Sequence, residues 1–174
     1  MTKVSVIIPT YGKPLFLEKA IQSVQRQSLP DFELIIVDDN NPDTEARALT
    51  EELVQKSMDI DKRIKYLKHE KNKNGAVARN TGFAIAQGKY ISLLDSDDEY
   101  LTDRLRKCYD LMEKAPKSVA GVYTGCEFRC KGKTYHTHAD VKDGNFLVET
   151  LACKFMFCTG SNIFVRKNVV DELN

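Results

Sequence analysis

A chain of 174 residues, 42% of them hydrophobic and 29% charged, has the balance of a soluble folded domain with a sizeable core, and disorder is excluded. Lys and Arg number 26 against 25 Asp and Glu, so no global field marks nucleic acid or acidic lipid as a partner, and any anion site has to be local. The longest apolar runs are far too short to span a bilayer, and Met1-Thr2-Lys3 leads into a strand rather than a signal peptide, which gives a cytosolic expectation.

Val4-Ser5-Val6-Ile7-Ile8, closed by Pro9, reads as a strand, and Pro14 followed by Leu17, Ala20, Ile21 and Val24 at helical spacing reads as the helix after it. Phe32 to Val37 repeats the strand signal and ends in Asp38-Asp39-Asn40-Asn41-Pro42. There Asn41 can cap, and Pro42 can open, a helix with Ala46, Leu49, Leu53 and Val54 on one face. Ile64 to Leu67 predicts a third strand. A loop rich in lysine and asparagine, Lys68 to Asn74, leads into Gly75 and a helix through Ala86, which Gly88 is expected to end as a C-cap glycine. Tyr90 to Leu94 is the fourth strand, followed by a helix with Leu101, Leu105, Cys108, Tyr109 and Met112 on one stripe.

After Pro116 the rhythm changes. Val119 to Thr124 predicts a strand, Glu127 to His136 around Gly132 a hairpin, Asn145 to Phe157 a helical or irregular segment, and Ser161 to Val165 a last strand. Four successive strand–helix units with strands apolar on both sides predict an α/β fold built on a doubly wound, mostly parallel sheet, with the second half elaborating that sheet. The five cysteines, at 108, 126, 130, 153 and 158, are an odd number without a secretion signal, so reduced thiols are expected. Cys126, Cys130, His136, His138, Cys153 and Cys158 can be assembled on paper as a zinc set, yet their spacings fit no common zinc pattern, and buried apolar thiols are the simpler reading.

In open α/β sheets ligands bind beyond the C-terminal strand ends, and three of those ends are chemically loaded: Pro9-Thr10-Tyr11-Gly12, Asp38-Asp39, and Asp95-Ser96-Asp97-Asp98. Carboxylates crowded at a strand end repel one another unless something positive sits between them, which makes the last run half of a divalent-metal site. Asn74 to Gly82 opens the third helix with small residues and sets Arg79 in its first turns. A helix N-terminus with a guanidinium suits a phosphate.

Other readings of the acidic run fare worse. An EF-hand would take Asp95, Asp97 and Glu99, but needs Gly where Tyr100 stands and Glu where Arg106 stands. A strand-end phosphatase would use Asp95 and Asp97 and leave Pro9-Thr10-Tyr11 and Asp38-Asp39 without work. A phosphate-accepting receiver wants an acidic pair after the first strand, which ends in proline instead, and a Rossmann dinucleotide fold wants a G-x-G-x-x-G that is absent.

Val4 to Tyr11, Leu34 to Asp39, Gly75 to Gly82 with its Ala-Arg-Asn core, and Gly88 to Asp98 together resemble the family 2 glycosyltransferases of the GT-A fold, in order and in spacing. Thr159 to Lys167 is similar to the strand that follows the acceptor region in that family. The resemblance implies a single GT-A domain over 1–174, with 1–115 as the nucleotide-binding half and 116–174 as the start of the acceptor-binding half. It implies inverting transfer of a sugar from a nucleotide-diphosphate sugar, usually a UDP-sugar, to a saccharide or lipid-linked acceptor, as in bacterial surface polysaccharide synthesis, with Mn2+ or Mg2+ as cofactor.

Carried over position by position, Pro9, Thr10 and Tyr11 would line the nucleotide pocket, Asp39 with help from Asp38 would contact the base, and Arg79 would lie near the diphosphate or ribose. Asp95 and Asp97 would form the D-x-D motif, Asp97 as a direct metal ligand and Asp95 reaching the ribose or metal waters. Ser96 would lie between them in the donor site, and Asp98 would make a sugar or indirect contact. The acceptor proton needs a carboxylate, which the family carries in a later acidic motif. Asp171 and Glu172 are poor candidates, so the base is expected beyond Asn174, in a longer enzyme of which this chain is a fragment. A cytoplasmic setting at the inner face of a membrane, with peripheral association through segments beyond Asn174, follows from the same resemblance. A metal-dependent phosphatase or phosphotransferase using Asp95 and Asp97, and a non-catalytic nucleotide-sugar-binding module, are the alternatives left open.

Overall fold

The structure, a computed structural model, describes residues 2–130, 132–137, 144 and 160–173. The strands are β1 (Val4–Thr10), β2 (Phe32–Asp38), β3 (Ile64–Lys68), β4 (Tyr90–Leu93), β5 (Gly121–Tyr123), β6 (Cys126–Cys130), β7 (Lys133–Thr137) and β8 (Ile163–Arg166). The helices are α1 (Pro14–Gln25), α2 (Glu45–Ile60), α3 (Gly75–Ile85), α4 (Arg104–Lys114) and α5 (Lys167–Leu173). Six strands form one sheet in the order β3-β2-β1-β4-β8-β5. The first four are mutually parallel, and β8 runs antiparallel to both β4 and β5. β6 and β7 make a separate hairpin with Gly132 in the left-handed region of its turn.

The period of two along the strands decides which layer each side chain joins. Val4, Val6 and Ile8 of β1 and Leu34 and Ile36 of β2 pack with Leu17, Ile21 and Val24 of α1, Val54 of α2 and Leu105 and Met112 of α4. Ile7, Ile35, Val37 and Ile91 turn to the other face, against Ala78, Phe83 and Val170. α1, α2 and α4 therefore cover one face, while α3 and α5 cover the other. From β1 the chain steps outward to β2 and β3, then returns to place β4 on the far side of β1. The switch point, where a doubly wound sheet opens a crevice, falls between the ends of β1 and β4.

Several local expectations give way to tertiary structure. α2 starts at Glu45, capped by Thr44, whose hydroxyl accepts from Arg47 N at 3.2 Å; Asp43, at φ 60, interrupts any helix opened by Pro42. Asn41 instead accepts from the Asn72 backbone N–H at 2.8 Å. Gly88 is not a left-handed cap: α3 ends in an extended Ala86. A Cβ on Gly88 would strike Ser5 N and Val4 C, so the position needs glycine for close approach of two backbones. Leu101 lies outside α4 and is 62% exposed. The last strand is shorter than expected and is preceded by a 3₁₀ turn, Gly160–Asn162. Met1, Asn145 to Phe157, His138, Cys153 and Cys158 lie outside the described residues.

Glu33 is a feature that sequence alone did not single out. Its carboxylate, buried at the N-terminal end of β2, accepts from Ser5 Oγ at 2.5 Å and Gln87 N at 2.6 Å and pairs with Lys65 Nζ at 2.6 Å. Burial alone would raise its proton affinity, but the hydrogen bonds from Lys65, Ser5 and Gln87 together hold the carboxyl below its ordinary value. A group depressed on folding contributes stability above its unfolded value and loses it as pH falls through the folded one. Urea titrations should therefore show that Glu33→Gln loses less stability than the parent between pH 7 and pH 3. Parallel acid limbs in the two proteins would refute this assignment.

Candidate functional site

The ends of β1, β2 and β4 and the start of α3 surround a cleft of about 410 Å³, within the size range of small-ligand sites. Pro9, Thr10, Tyr11 and Lys13 line it from the β1 side, Asp39 from the end of β2, and Asp95, Ser96 and Asp97 from the end of β4. Asn72, Asn74, Gly75, Ala78 and Arg79 complete it. Of the ten residues assigned to the donor and metal site from the sequence, Asp38 and Asp98 are the two that do not line the cleft.

The β1 corner is built by backbone constraints. Gly12, at φ +73, turns the chain and donates its N–H to Asn40 Oδ1 at 2.8 Å. Thr10 O accepts from Asp39 N at 2.9 Å, which ties this corner to the end of β2. Thr10 lines the cleft, and its hydroxyl is buried with no hydrogen-bond partner among the described residues. A buried orphan hydroxyl is costly unless a ligand satisfies it.

The two adjacent aspartates after β2 separate completely. Asp38 is fully buried: Oδ1 accepts from Asn40 N and Nδ2, both at 2.8 Å, while Oδ2 accepts from Tyr66 OH at 2.5 Å with Arg47 Nε 3.3 Å away. It shapes the turn and has no face on the cleft. Burial and the neighbouring Asp38 carboxylate push the Tyr66 phenol up, so Tyr66 stays a donor. Asp39 does face the cleft, and its carboxylate is gripped by the segment after β3: His69 Nδ1 at 2.7 Å, Lys73 N at 2.8 Å and Asn72 Nδ2 at 3.0 Å.

At α3, Asn74 takes the cap position at φ 73 and accepts from Ala76 N at 3.0 Å and Val77 N at 3.2 Å. The chain's own carboxamide thus occupies amides that an anion would otherwise use, which shifts the positive character of this corner onto the guanidinium of Arg79. Gly75 and Ala78 leave that wall low. Arg79 forms a short ion pair with Asp95 Oδ1.

The acidic run is likewise partnered. Asp97 pairs with Lys13 Nζ at 2.9 Å, with both side chains about half exposed. Asp98 accepts from Ser161 Oγ at 2.6 Å, and the same hydroxyl accepts from Asp95 N at 2.9 Å. Ser161, in the turn before β8, thus sets the shape of the Asp95–Asp98 turn, a function its place in a predicted strand did not announce. Asn72 and Lys13 also escaped sequence reasoning, although both flank segments that were singled out; Asn74 opened one of those segments without a role of its own.

Among the described residues no cluster of three His, Cys, Asp or Glu side chains is arranged to hold a metal. Asp95 and Asp97 supply two hard carboxylates, with Ser96 between them in the chain and also on the cleft. That set fits a cation of the Mg2+ or Mn2+ kind, which takes one or two carboxylates and completes its shell with phosphate and water. Exposed pairs such as Lys13–Asp97 are worth about 0–1 kcal/mol, so such a cation can displace the lysine at little cost.

Comparison with known proteins places this geometry. The model of glycosyl transferase family 2 matches residues 5–173. The chain is 33% identical over 183 aligned positions to the GalNAc(5)-diNAcBac-PP-undecaprenol beta-1,3-glucosyltransferase of Campylobacter jejuni, covering 99% of this chain and 56% of that one. Among solved structures, S. aureus TarS 1-349 in complex with UDP-GlcNAc superposes with a TM-score of 0.76 at 20% identity, covering 99% of this chain and 47% of that one. The mannosyltransferase PcManGT of Pyrobaculum calidifontis, in complex with GDP-Man and Mn2+, gives 0.72 at 17%, covering 99% and 46%. The chain thus spans about half the length of the proteins it matches. Among the described residues no helix is long and apolar enough to cross a membrane.

Proposed function

We propose that this chain, which belongs to glycosyl transferase family 2 and has the GT-A fold, is the donor-binding part of an inverting, metal-dependent glycosyltransferase that takes its sugar from a UDP-sugar. The observation that carries this reading is the convergence on one cleft of Asp39, Arg79, Asp95 and Asp97 with Thr10, whose hydroxyl is an orphan. Both signs of charge meet there, as a metal-bridged diphosphate requires.

In this mechanism Thr10, Tyr11 and Asp39 hold the nucleoside, Tyr11 being well exposed and free to lie along a base or ribose. Arg79 turns from Asp95 to the diphosphate. Asp97, with Asp95, would hold Mn2+ or Mg2+, whose chemistry is to offset the charge that builds on the departing diphosphate. Lys13, freed from Asp97, adds a second cation to the same oxygens. Ser161 and Asp98 keep the acidic turn in shape. The acceptor hydroxyl gives its proton to a carboxylate, and none of these donor-site residues takes that role. A saccharide on a membrane lipid is the acceptor this reading favours, because the name of the Campylobacter relative carries an undecaprenol-linked saccharide; work on such an acceptor brings the site to the cytoplasmic face of a membrane.

Calorimetric titration with UDP and GDP, with Mn2+ and with EDTA, tests this reading. UDP should bind, and Mn2+ should tighten it by roughly tenfold or more, about 1.4 kcal/mol per decade. Hydrolysis of phosphomonoesters without affinity for UDP would sink the proposal in favour of an aspartate-based phosphatase.

A further inference from the structure

We infer that His69 is a positioning residue for the nucleobase. It fixes the Asp39 carboxylate so that a single acceptor position on Oδ2 is left to read one N–H of the base, which selects the imide N–H of uracil. This rests on the donor reading above and deepens it.

His69 follows the last residue of β3, and its N–H donates to Asp38 O at 2.9 Å, so the imidazole enters the site on the rigid ladder between β2 and β3. Its side chain is 5% exposed. Arg47 Nη2 donates to its carbonyl at 2.7 Å, fixing the backbone from α2. Nε2 lies 2.9 Å from Thr81 Oγ1 on α3, fixing the ring from the other side. An ionised carboxylate carries no hydrogen, so the 2.7 Å contact to Asp39 Oδ1 is made by Nδ1–H donating.

Asp39 can be counted atom by atom. A carboxylate offers about four acceptor positions. Oδ1 uses two of them, on His69 Nδ1 and Lys73 N, and Oδ2 uses one, on Asn72 Nδ2. One position remains, on a carboxylate that lines the cleft. A uracil edge presents one N–H between two carbonyls and fits it. Guanine presents two adjacent N–H donors, one more than Oδ2 can take. Without His69 the buried carboxylate would lose one of its two partners on Oδ1 and be free to rotate, which spoils a fixed acceptor.

Binding of UDP, GDP and N3-methyl-UDP to the parent, His69→Ala and His69→Asn, all with Mn2+, tests the inference. In His69→Asn the amide nitrogen can stand where Nδ1 stands. The parent should lose about tenfold or more on N3-methylation, the scale of a hydrogen bond lost to a charged acceptor. His69→Ala should bind UDP at least about tenfold more weakly than the parent and lose less than about threefold on N3-methylation, while His69→Asn should stay within about threefold of the parent for UDP. An equal methylation penalty in His69→Ala and the parent overturns the inference and leaves the donor reading standing. So does a parent that binds UDP and N3-methyl-UDP alike. A parent that binds no UDP overturns both. If His69→Ala does not fold, His69→Asn decides: the parent's discrimination kept supports the inference, and discrimination lost overturns it.

Discussion

Asp97→Ala is expected to remove the Mn2+-dependent part of UDP binding, a loss of roughly tenfold or more, while the fold stays intact. Even residues that only support a metal ligand cost about 10–100-fold in metal affinity when replaced, and Asp97 is placed to be a direct one. The stability side is small because the Asp97 carboxylate is about half exposed and its partner, Lys13, more so; such pairs contribute about 0–1 kcal/mol. In EDTA the sign should reverse. Removing Asp97 deletes a negative charge and leaves Lys13 unpaired beside the place of the diphosphate, so metal-free UDP binding should hold or tighten slightly. Calorimetry with and without Mn2+ separates the two effects. A variant that keeps the full Mn2+ increment would assign the metal to other groups, and one that loses metal-free binding as well would make Asp97 a direct contact of the nucleotide.

The pair Asp38 and Asp39 marks where sequence reading stopped. A run such as Val4 to Ile8 or Phe32 to Val37 states its own conformation, because β-branched and apolar residues in unbroken series can only be satisfied between two helical layers. The convergence of three strand ends follows from that topology alone, and so Pro9, Thr10, Tyr11, Asp39, Arg79, Asp95, Ser96 and Asp97 were found as neighbours of one cleft. Which of two adjacent carboxylates turns inward is a different matter. Asp38 is captured by Asn40, Tyr66 and Arg47, partners up to 28 positions away, and nothing local encodes that. His69 and Ser161 are invisible for the same reason: each acts through a partner on another element. The helix caps failed for a smaller cause. Asn41-Pro42 is a sound opening by composition, but a left-handed Asp43 delays α2 to Thr44.

Gly88→Ala is expected to destabilise the protein by about 3 kcal/mol or more, a large share of the 5–15 kcal/mol that folded domains hold. The new Cβ would collide with Ser5 N and Val4 C and approach Ser5 Oγ to 2.8 Å. The first two are backbone atoms of β1, which is paired with β2 on one side and β4 on the other, so they cannot move aside without breaking the sheet at its centre. The collision also disturbs a buried relay in which Gly88 N donates to Ser5 Oγ at 2.8 Å and Ser5 Oγ donates to Glu33 at 2.5 Å. Against this stands a gain of about 0.4–1 kcal/mol from stiffening the unfolded chain, which is too small to offset the clash. Gly82→Ala is the instructive comparison. There the Cβ would meet Ile7 Cγ2 at 2.5 Å, a branched methyl on a fully buried core side chain with little rotamer freedom, so that substitution should be costly too, through the core rather than through the backbone of β1. Because β4 begins two residues after Gly88 and ends two residues before Asp95, Gly88→Ala should weaken Mn2+-dependent UDP binding together with stability. Urea titration gives the stability and calorimetry the binding; a Gly88→Ala protein within about 0.5 kcal/mol of the parent would show that β1 and β4 can part locally without loss.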